Sequence, residues 1–247
     1  MESSSPAQSD SLERIVPDEL QDEGATGKAT LALHLERYRF AAEHLQGGTL
    51  LDLACGVGYG TRLLADSRAD LTRLTGVDLD SGAVAYAKSR YTEPRITFTN
   101  ANAFEFLPSA SAFDNIVSLE TVEHMPDSGA FLGALVKALK PGGMLISSVP
   151  TTPSMDGNPH HLNDFTERSF RRMGTQRGLV EIASFAQRQP FDPVAILAGK
   201  EKRVQTSRRS VLEFYARKPQ KLVARCWSTV RYGFENRYLT VAWKKER

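Results

Sequence analysis

The chain has 247 residues, 41% of them apolar and 24% charged, which excludes a wholly disordered polymer, a fibrous repeat and a disulfide scaffold and suits one large α/β domain. The formal net charge of +2 hides a division: residues 1–27 hold seven Asp/Glu against Arg14, and residues 200–231 hold ten Lys/Arg against Glu201 and Glu213. No stretch approaches the roughly 18 apolar residues of a spanning helix, the start lacks the basic and apolar regions of a signal peptide, and two widely separated cysteines fit a reducing compartment, so a cytoplasmic protein is expected.

Residues 1–27 read as a flexible acidic arm, too poor in apolar surface to offset the entropy of ordering. The domain is expected over residues 28–247. It opens with an amphipathic helix at 28–46, where Leu31, Leu35, Tyr38, Ala42 and Leu45 recur at three- and four-residue steps before Gly47-Gly48. Short Val/Ile/Leu runs at 49–54, 74–78, 96–100, 114–118 and 144–149 then alternate with helical stretches near 60–66, 81–91 and 128–139. Repeated βα units imply a parallel sheet with right-handed crossovers. A polar stretch to Asp164, a helix near 166–177 and two late strands at 180–187 and 237–243 complete the pattern, which predicts seven strands, mostly parallel, with helices on both faces. Between the last two strands lies the basic segment, read as a helical lid over about 193–233.

The first strand runs into a glycine turn, Asp52-Leu53-Ala54-Cys55-Gly56-Val57-Gly58-Tyr59-Gly60, followed by a helix. Glycine belongs there because the backbone turns tightly and a ligand must approach without a Cβ in the way. A dinucleotide fingerprint would need its last glycine at position 61, which is Thr61. Asp52 would repel a pyrophosphate but suits a ligand bearing an ammonium group, and Asp78, at the end of the second strand, is placed for two ribose hydroxyls.

The ordered runs LLDLACGVGYG, TGVDLDSGAVAYAKSRY, ITFTNANAFEFL, FDNIVSLETVEHMPD and LKPGGMLISSVP resemble the class I S-adenosylmethionine (SAM)-dependent methyltransferases over roughly residues 28–187. The resemblance implies a Rossmann-like α/β fold and SAM as cofactor. It places Ala54, Gly56 and Gly58 at the methionine part of SAM, Asp78 at the ribose and Leu79 against one adenine face. Asn102 would accept from the adenine amino group, Ala103 or Phe104 would offer a backbone N–H, and Leu119 would contact the methionine end. Tyr38 sits in what resembles the helix capping the cofactor. Ala54 departs from the commonest pattern, which has glycine.

After the fourth strand, Glu120, Glu123 and His124 are spaced i, i+3 and i+4, so a helical conformation would put them on one face. With His161 as a fourth ligand, this set suits Mg²⁺ or another divalent ion rather than a soft thiolate metal. The pattern resembles the metal-dependent 2′-O-methyltransferases of small RNAs, in whose spacing Phe165, Thr166 and Phe170 select His161 over His160; bacterial methyltransferases of sugars and glycans look similar. A metal bound to two vicinal hydroxyls, His124 or His161 acting alone as general base, and a purely structural role are the alternatives.

For the basic segment, one reading is a lid with a solvated charged face. The other is contact with an anionic acceptor: a nucleotide-sugar, a lipid-linked glycan, a membrane surface or RNA. No separate RNA-binding module accompanies the catalytic region, and the closing run RYGFENRYLTVAWKK resembles the end of bacterial glycan-linked methyltransferases. The expected reaction is therefore methyl transfer to a hydroxyl of a sugar, glycan or glycosylated small molecule. RNA 2′-O-methylation, a lipid, quinone or natural-product acceptor, and a non-catalytic SAM-binding scaffold are the alternatives.

Overall fold

A computed structural model describes Pro17 and residues 24–109, 112–155, 158, 160–190 and 208–246. Helix α1 (Gly24–His44) precedes β1 (Gly48–Leu53), α2 (Tyr59–Ser67), β2 (Leu71–Asp78), α3 (Ser81–Arg90), β3 (Ile96–Asn100), α4 (Ala103–Ser109) and β4 (Phe113–Ser118). A 3₁₀ turn (Val122–His124), α5 (Ser128–Ala138), β5 (Leu139–Pro150), α6 (Glu167–Thr175) and β6 (Leu179–Pro190) follow, then α7 (Arg208–Arg217), α8 (Pro219–Tyr232) and β7 (Glu235–Lys245). Of the expected acidic arm, 1–16 and 18–23 lie outside the described residues, as do 193–207 of the expected lid. Helix α1 starts four residues before the position read from the sequence, and α4, absent from the expected elements, supplies the β3–β4 crossover.

The seven strands run in the order β3-β2-β1-β4-β5-β7-β6, all neighbours parallel except that β7 pairs antiparallel with β5 and β6. This is the seven-stranded, mostly parallel α/β sheet that the alternation predicts. Strands buried on both faces read as continuous apolar runs, and β1 shows it. Leu50 and Leu51 are both fully buried, Leu50 clustering with Tyr38 and Ala41 of α1, Leu45 just after it and Leu64 of α2, and Leu51 with Phe131, Leu132 and Leu135 of α5. Trp243 of β7 and Phe170 of α6 close the second layer, their ring centroids 5.0 Å apart. Burial of each large side chain contributes about 1.5–3 kcal/mol.

Short polar residues start the helices. Asp80 accepts from the Ala83 N–H at 2.6 Å, Asp127 from the Ala130 N–H at 2.8 Å, and Thr166 with Ser169 forms a reciprocal box at α6. The strand order reverses between β1 and β4, so the crevice outside their carboxyl ends is where such a sheet places a ligand. The glycine turn leaves β1 there and the Glu120–His124 segment leaves β4 there.

Candidate active site

Three residues of the glycine turn are left-handed: Ala54 (φ 63°), Gly56 (φ 55°) and Gly58 (φ 84°). The Ala54 and Cys55 N–H groups both donate to the Val77 carbonyl, at 2.8 and 3.1 Å, tying the turn to the end of β2. A Cβ on Gly58 would fall 2.8 Å from Ala87 Cβ and from the Phe98 ring, so that glycine is packed against the protein. Gly56 differs: no atom stands within 4 Å of where its Cβ would be, so its backbone faces open space at the carboxyl edge.

Beside it, Asp78 accepts from the Gly56 N–H through Oδ2 at 2.8 Å and from the Asp80 N–H through Oδ1 at 2.9 Å. One lone pair on each oxygen fixes the carboxylate and the other remains for a hydroxyl donor. Asn100, which sequence reasoning missed, braces the same corner by donating its amide to the carbonyls of Asp78 (3.0 Å) and Leu79 (2.8 Å). Leu79 is 70% exposed at this edge, and Phe104 is exposed at the start of α4.

Asn102 stands at the start of α4. Its Oδ1 accepts the Phe104 N–H at 2.9 Å and its carbonyl accepts from Glu105 and Phe106, so the residue caps α4. The expected adenine acceptor and one of the two expected N–H donors are thus bonded to each other. Ala103 is the first residue of α4, and Leu119 is half-buried just beyond β4.

Asp52 is buried at the floor of the turn, accepting from Thr61 Oγ1 at 2.6 Å and from the Tyr38 hydroxyl at 3.3 Å. Burial pushes its carboxyl up to about 7; the two hydroxyl donors pull the other way, and the Asp78 carboxylate adds to the rise. Tyr38 itself is buried, its ring so close to Gly60 that a Cβ there would lie 1.9 Å from Cζ. It holds α1 onto the turn, with Tyr59 edge-on at 6.1 Å and His34 Nδ1 2.8 Å from the Tyr59 hydroxyl. Burial, with the carboxylates of Asp52 and Asp78, pushes the Cys55 thiol well up, which makes it an inert packing group.

On the β4 side the structure separates Glu120 from the other expected ligands. The chain does not continue as a helix there: Glu120 adopts φ 48°, and only Val122–His124 form a 3₁₀ turn. Ser148 of β5 clasps Glu120 twice, accepting its backbone N–H at 3.0 Å and donating to Oε1 at 2.7 Å, while a guanidinium nitrogen of buried Arg37 lies 3.8 Å from Oε2. The i, i+3, i+4 premise fails because a left-handed residue turns this side chain toward β5 and α1.

Glu123, His124 and His161 do come together, one ligand atom from each lying within 4.8 Å of the others. Glu123 is fully buried and His161 nearly so. His124 Nδ1 lies 3.1 Å from the His160 carbonyl, which can only accept, so Nδ1 donates in this contact. His161 Nδ1 lies 2.7 Å from Ser154 Oγ. Such outer partners orient ligating imidazoles. The Leu162 and Asn163 N–H groups donate to the Glu123 carbonyl at 2.8 and 3.1 Å, stitching the His161 loop to the 3₁₀ turn. Exposed His160 contributes only its carbonyl. Phe165 and Phe170 are core residues and Thr166 is a helix cap, so their spacing serves the fold. One carboxylate and two imidazoles fit a divalent ion that accepts nitrogen, such as Mn²⁺, Fe²⁺ or Zn²⁺, better than the oxygen-seeking Mg²⁺.

Residues 51–147 match the family model described as a methyltransferase domain. A protein of Mycolicibacterium smegmatis named probable S-adenosylmethionine-dependent methyltransferase is 34% identical over 150 residues, covering 60% of this chain and 56% of that protein. The ubiquinone biosynthesis O-methyltransferase of a Bradyrhizobium species is 32% identical over 115 residues, covering 46% of this chain and 44% of its own length. The chain thus spans about half the length of these relatives. Among solved structures, the N-methyltransferase NodS of Bradyrhizobium japonicum, in complex with S-adenosyl-L-homocysteine, superposes with a TM-score of 0.59 at 17% identity, covering 88% of each chain.

Proposed function

We propose that this chain, which carries a methyltransferase domain over residues 51–147 on the class I methyltransferase fold, is a SAM-dependent methyltransferase acting on a hydroxyl of a sugar, glycan or glycosylated small molecule. The observation that carries the reading is the Gly56–Asp78 corner: an open, left-handed glycine whose N–H fixes a carboxylate at the carboxyl end of β2. Asp78 would hold the ribose hydroxyls, Leu79 and Phe104 would flank the adenine, and buried Asp52 would balance the positive methionine end. SAM supplies a methyl group on a sulfonium, which leaves as the neutral thioether when an oxygen forms the new bond to carbon. What the protein must add is a group that takes the proton of the acceptor hydroxyl, and His124, oriented through Nδ1 by the His160 carbonyl, would be that base.

The convergence of Glu123, His124 and His161 favours a second reading of the same place, in which these three hold a divalent ion. A bound ion would lower the pKa of the acceptor hydroxyl. An oxygen acceptor is supported by the named activity of the Bradyrhizobium relative.

The test is calorimetric titration with SAM, followed by transfer of labelled methyl to nucleotide-sugars, glycans and lipid-linked saccharides. Micromolar SAM affinity that falls at least about 100-fold in Asp78→Ala is the expected result, because that change removes charge-assisted hydrogen bonds worth about 1.5–3 kcal/mol each. Affinity weaker than millimolar in the folded protein, with no labelled product, would overturn it.

A further inference from the structure

Helix α8 is amphipathic in the unexpected sense. Pro219 starts it, Gly233 (φ 78°) ends it, and it contains no Asp or Glu. Two of its three charged side chains face the protein: Lys221 Nζ is 2.7 Å from Asp164 Oδ2, and one turn on, Arg225 donates to the Pro153 carbonyl. Half-buried Ser228 and Thr229 continue that face. The opposite face presents Leu222, Val223, Trp227 and Val230, exposed to 44, 69, 67 and 83%, and Phe234 follows at 53%. Exposed Arg217, Lys218 and Arg231 stand at the two ends of this stripe.

A contiguous apolar stripe pointing outward needs an occupant. Charge decides which. The exposed charges at the two ends of the stripe, Arg217, Lys218 and Arg231, are all cations, so a second copy meeting this face across a twofold axis would set cations against cations. An anionic lipid surface would accept the aliphatic and indole side chains into its headgroup boundary and the flanking cations at its phosphates.

We propose that the outward face of α8 lies on an anionic lipid bilayer. The contact also points to an acceptor that arrives from the membrane, a clause that rests on the methyltransferase reading, whereas the bilayer contact does not. The helix is coupled to the site by its inner face: Asp164, held by Lys221, accepts the N–H groups of Ser154 and Met155, and Ser154 Oγ meets His161. Burial opposes ionisation of Asp164, but Lys221 and those two N–H groups hold its carboxyl below the usual range, so the anchor stays charged.

The test uses the full chain without SAM and vesicles of phosphatidylcholine, with or without about a third phosphatidylglycerol. The protein has two tryptophans, and Trp243 is fully buried, so a blue shift on mixing reports Trp227. Blue-shifted emission and co-sedimentation with the anionic vesicles, weakened by salt, are expected. Val223→Ser with Val230→Ser, and separately Lys218→Glu with Arg231→Glu, should each lower partitioning at least about tenfold while circular dichroism and SAM affinity stay unchanged. Absence of binding by the wild-type chain, or binding that both variants retain, would overturn the proposal. So would a dimer in light scattering that Val223→Ser with Val230→Ser dissolves, which would assign the stripe to a second copy. Loss of methyl transfer with vesicle binding intact would count against the methyltransferase reading alone.

Discussion

The β1–β2–β3 side of the carboxyl edge presents open backbone, whereas the β4–β5 side presents side chains drawn from distant segments. On the first side, Gly56 offers an open main chain, and Asp78 is fixed by two backbone N–H groups from neighbouring turns. On the second, Glu123 and His124 come from the turn after β4 and His161 from a loop almost forty positions later, joined through the Glu123 carbonyl. A site made of backbone depends on a few glycines and survives drift around it. One made of converging side chains fails when any contributor is removed, and it can be redirected to new acceptors by the same means.

That contrast breaks most visibly in activity. His161→Ala and Glu123→Gln are each expected to reduce methyl transfer by about 10²–10⁴-fold, with SAM affinity changed by less than about threefold. Parallel losses of transfer and of SAM binding would show the two halves to be one unit. Excess chelator separates the readings of the three-residue cluster: activity abolished by chelation and restored by Mn²⁺ or Fe²⁺ assigns the ion, and activity untouched by it assigns His124 as a metal-free base.

The two halves were also unequally legible. The placement of the glycine turn and Asp78 could be read because it follows from local spacing: strand, turn and helix are contiguous, and the acidic residue closes the next strand. Glu120 was misplaced because helical periodicity was assumed across a residue that is left-handed, and its lock on Ser148 and Arg37 joins segments 28 and 83 positions away in sequence. The capping role of Asn102 could not be read because a helix-capping asparagine and a ligand-binding one look alike without knowing that α4 begins there. The basic segment taught the most. Its composition suggested charges outward and apolar residues inward, whereas in α8 Lys221 and Arg225 turn inward and Val223, Trp227 and Val230 outward, because Asp164 and the Pro153 carbonyl supply half-buried partners that no helical pattern in α8 can announce.

Asp52 gives the next largest effect and sharpens the comparison on the cofactor side. Its carboxyl titrates near 7, raised from an ordinary value of 3.8, so the folded state favours the protonated form. The stability this contributes is fully present below the unfolded value near pH 4 and is lost as pH rises through about 7, a total of roughly 4 kcal/mol at most. Asp52→Asn, neutral throughout, should flatten that part of the denaturation profile. A cationic ligand prefers the opposite, ionised form, so SAM affinity should rise up to about tenfold per pH unit below 7 and level off above it. A pH-independent SAM affinity in the wild-type chain would remove Asp52 from contact with the positive end of the ligand.

The smallest effect concerns two left-handed positions of the same turn, separated by one residue, that differ in what faces them. Ala54 and Gly56 have nearly equal φ, 63° and 55°, yet only one is glycine. An alanine held there costs about 1 kcal/mol, and replacing it returns less than that, because glycine gains freedom in the unfolded chain. Ala54→Gly should therefore stabilise by about 0.5 kcal/mol, a rise of one to two degrees in Tm for a chain of this size. Gly56→Ala should cost about 1 kcal/mol of stability and also lower SAM affinity, since the added methyl would occupy the open space beside the backbone N–H that meets Asp78. A small rise in Tm for Ala54→Gly and a small fall for Gly56→Ala, with SAM affinity falling only in the second variant, would show that strain and access are separate properties of one turn. If Ala54→Gly weakened SAM binding instead, the methyl of Ala54 would itself be part of the ligand surface, and the departure from glycine at that position would be a feature of recognition rather than a tolerated strain.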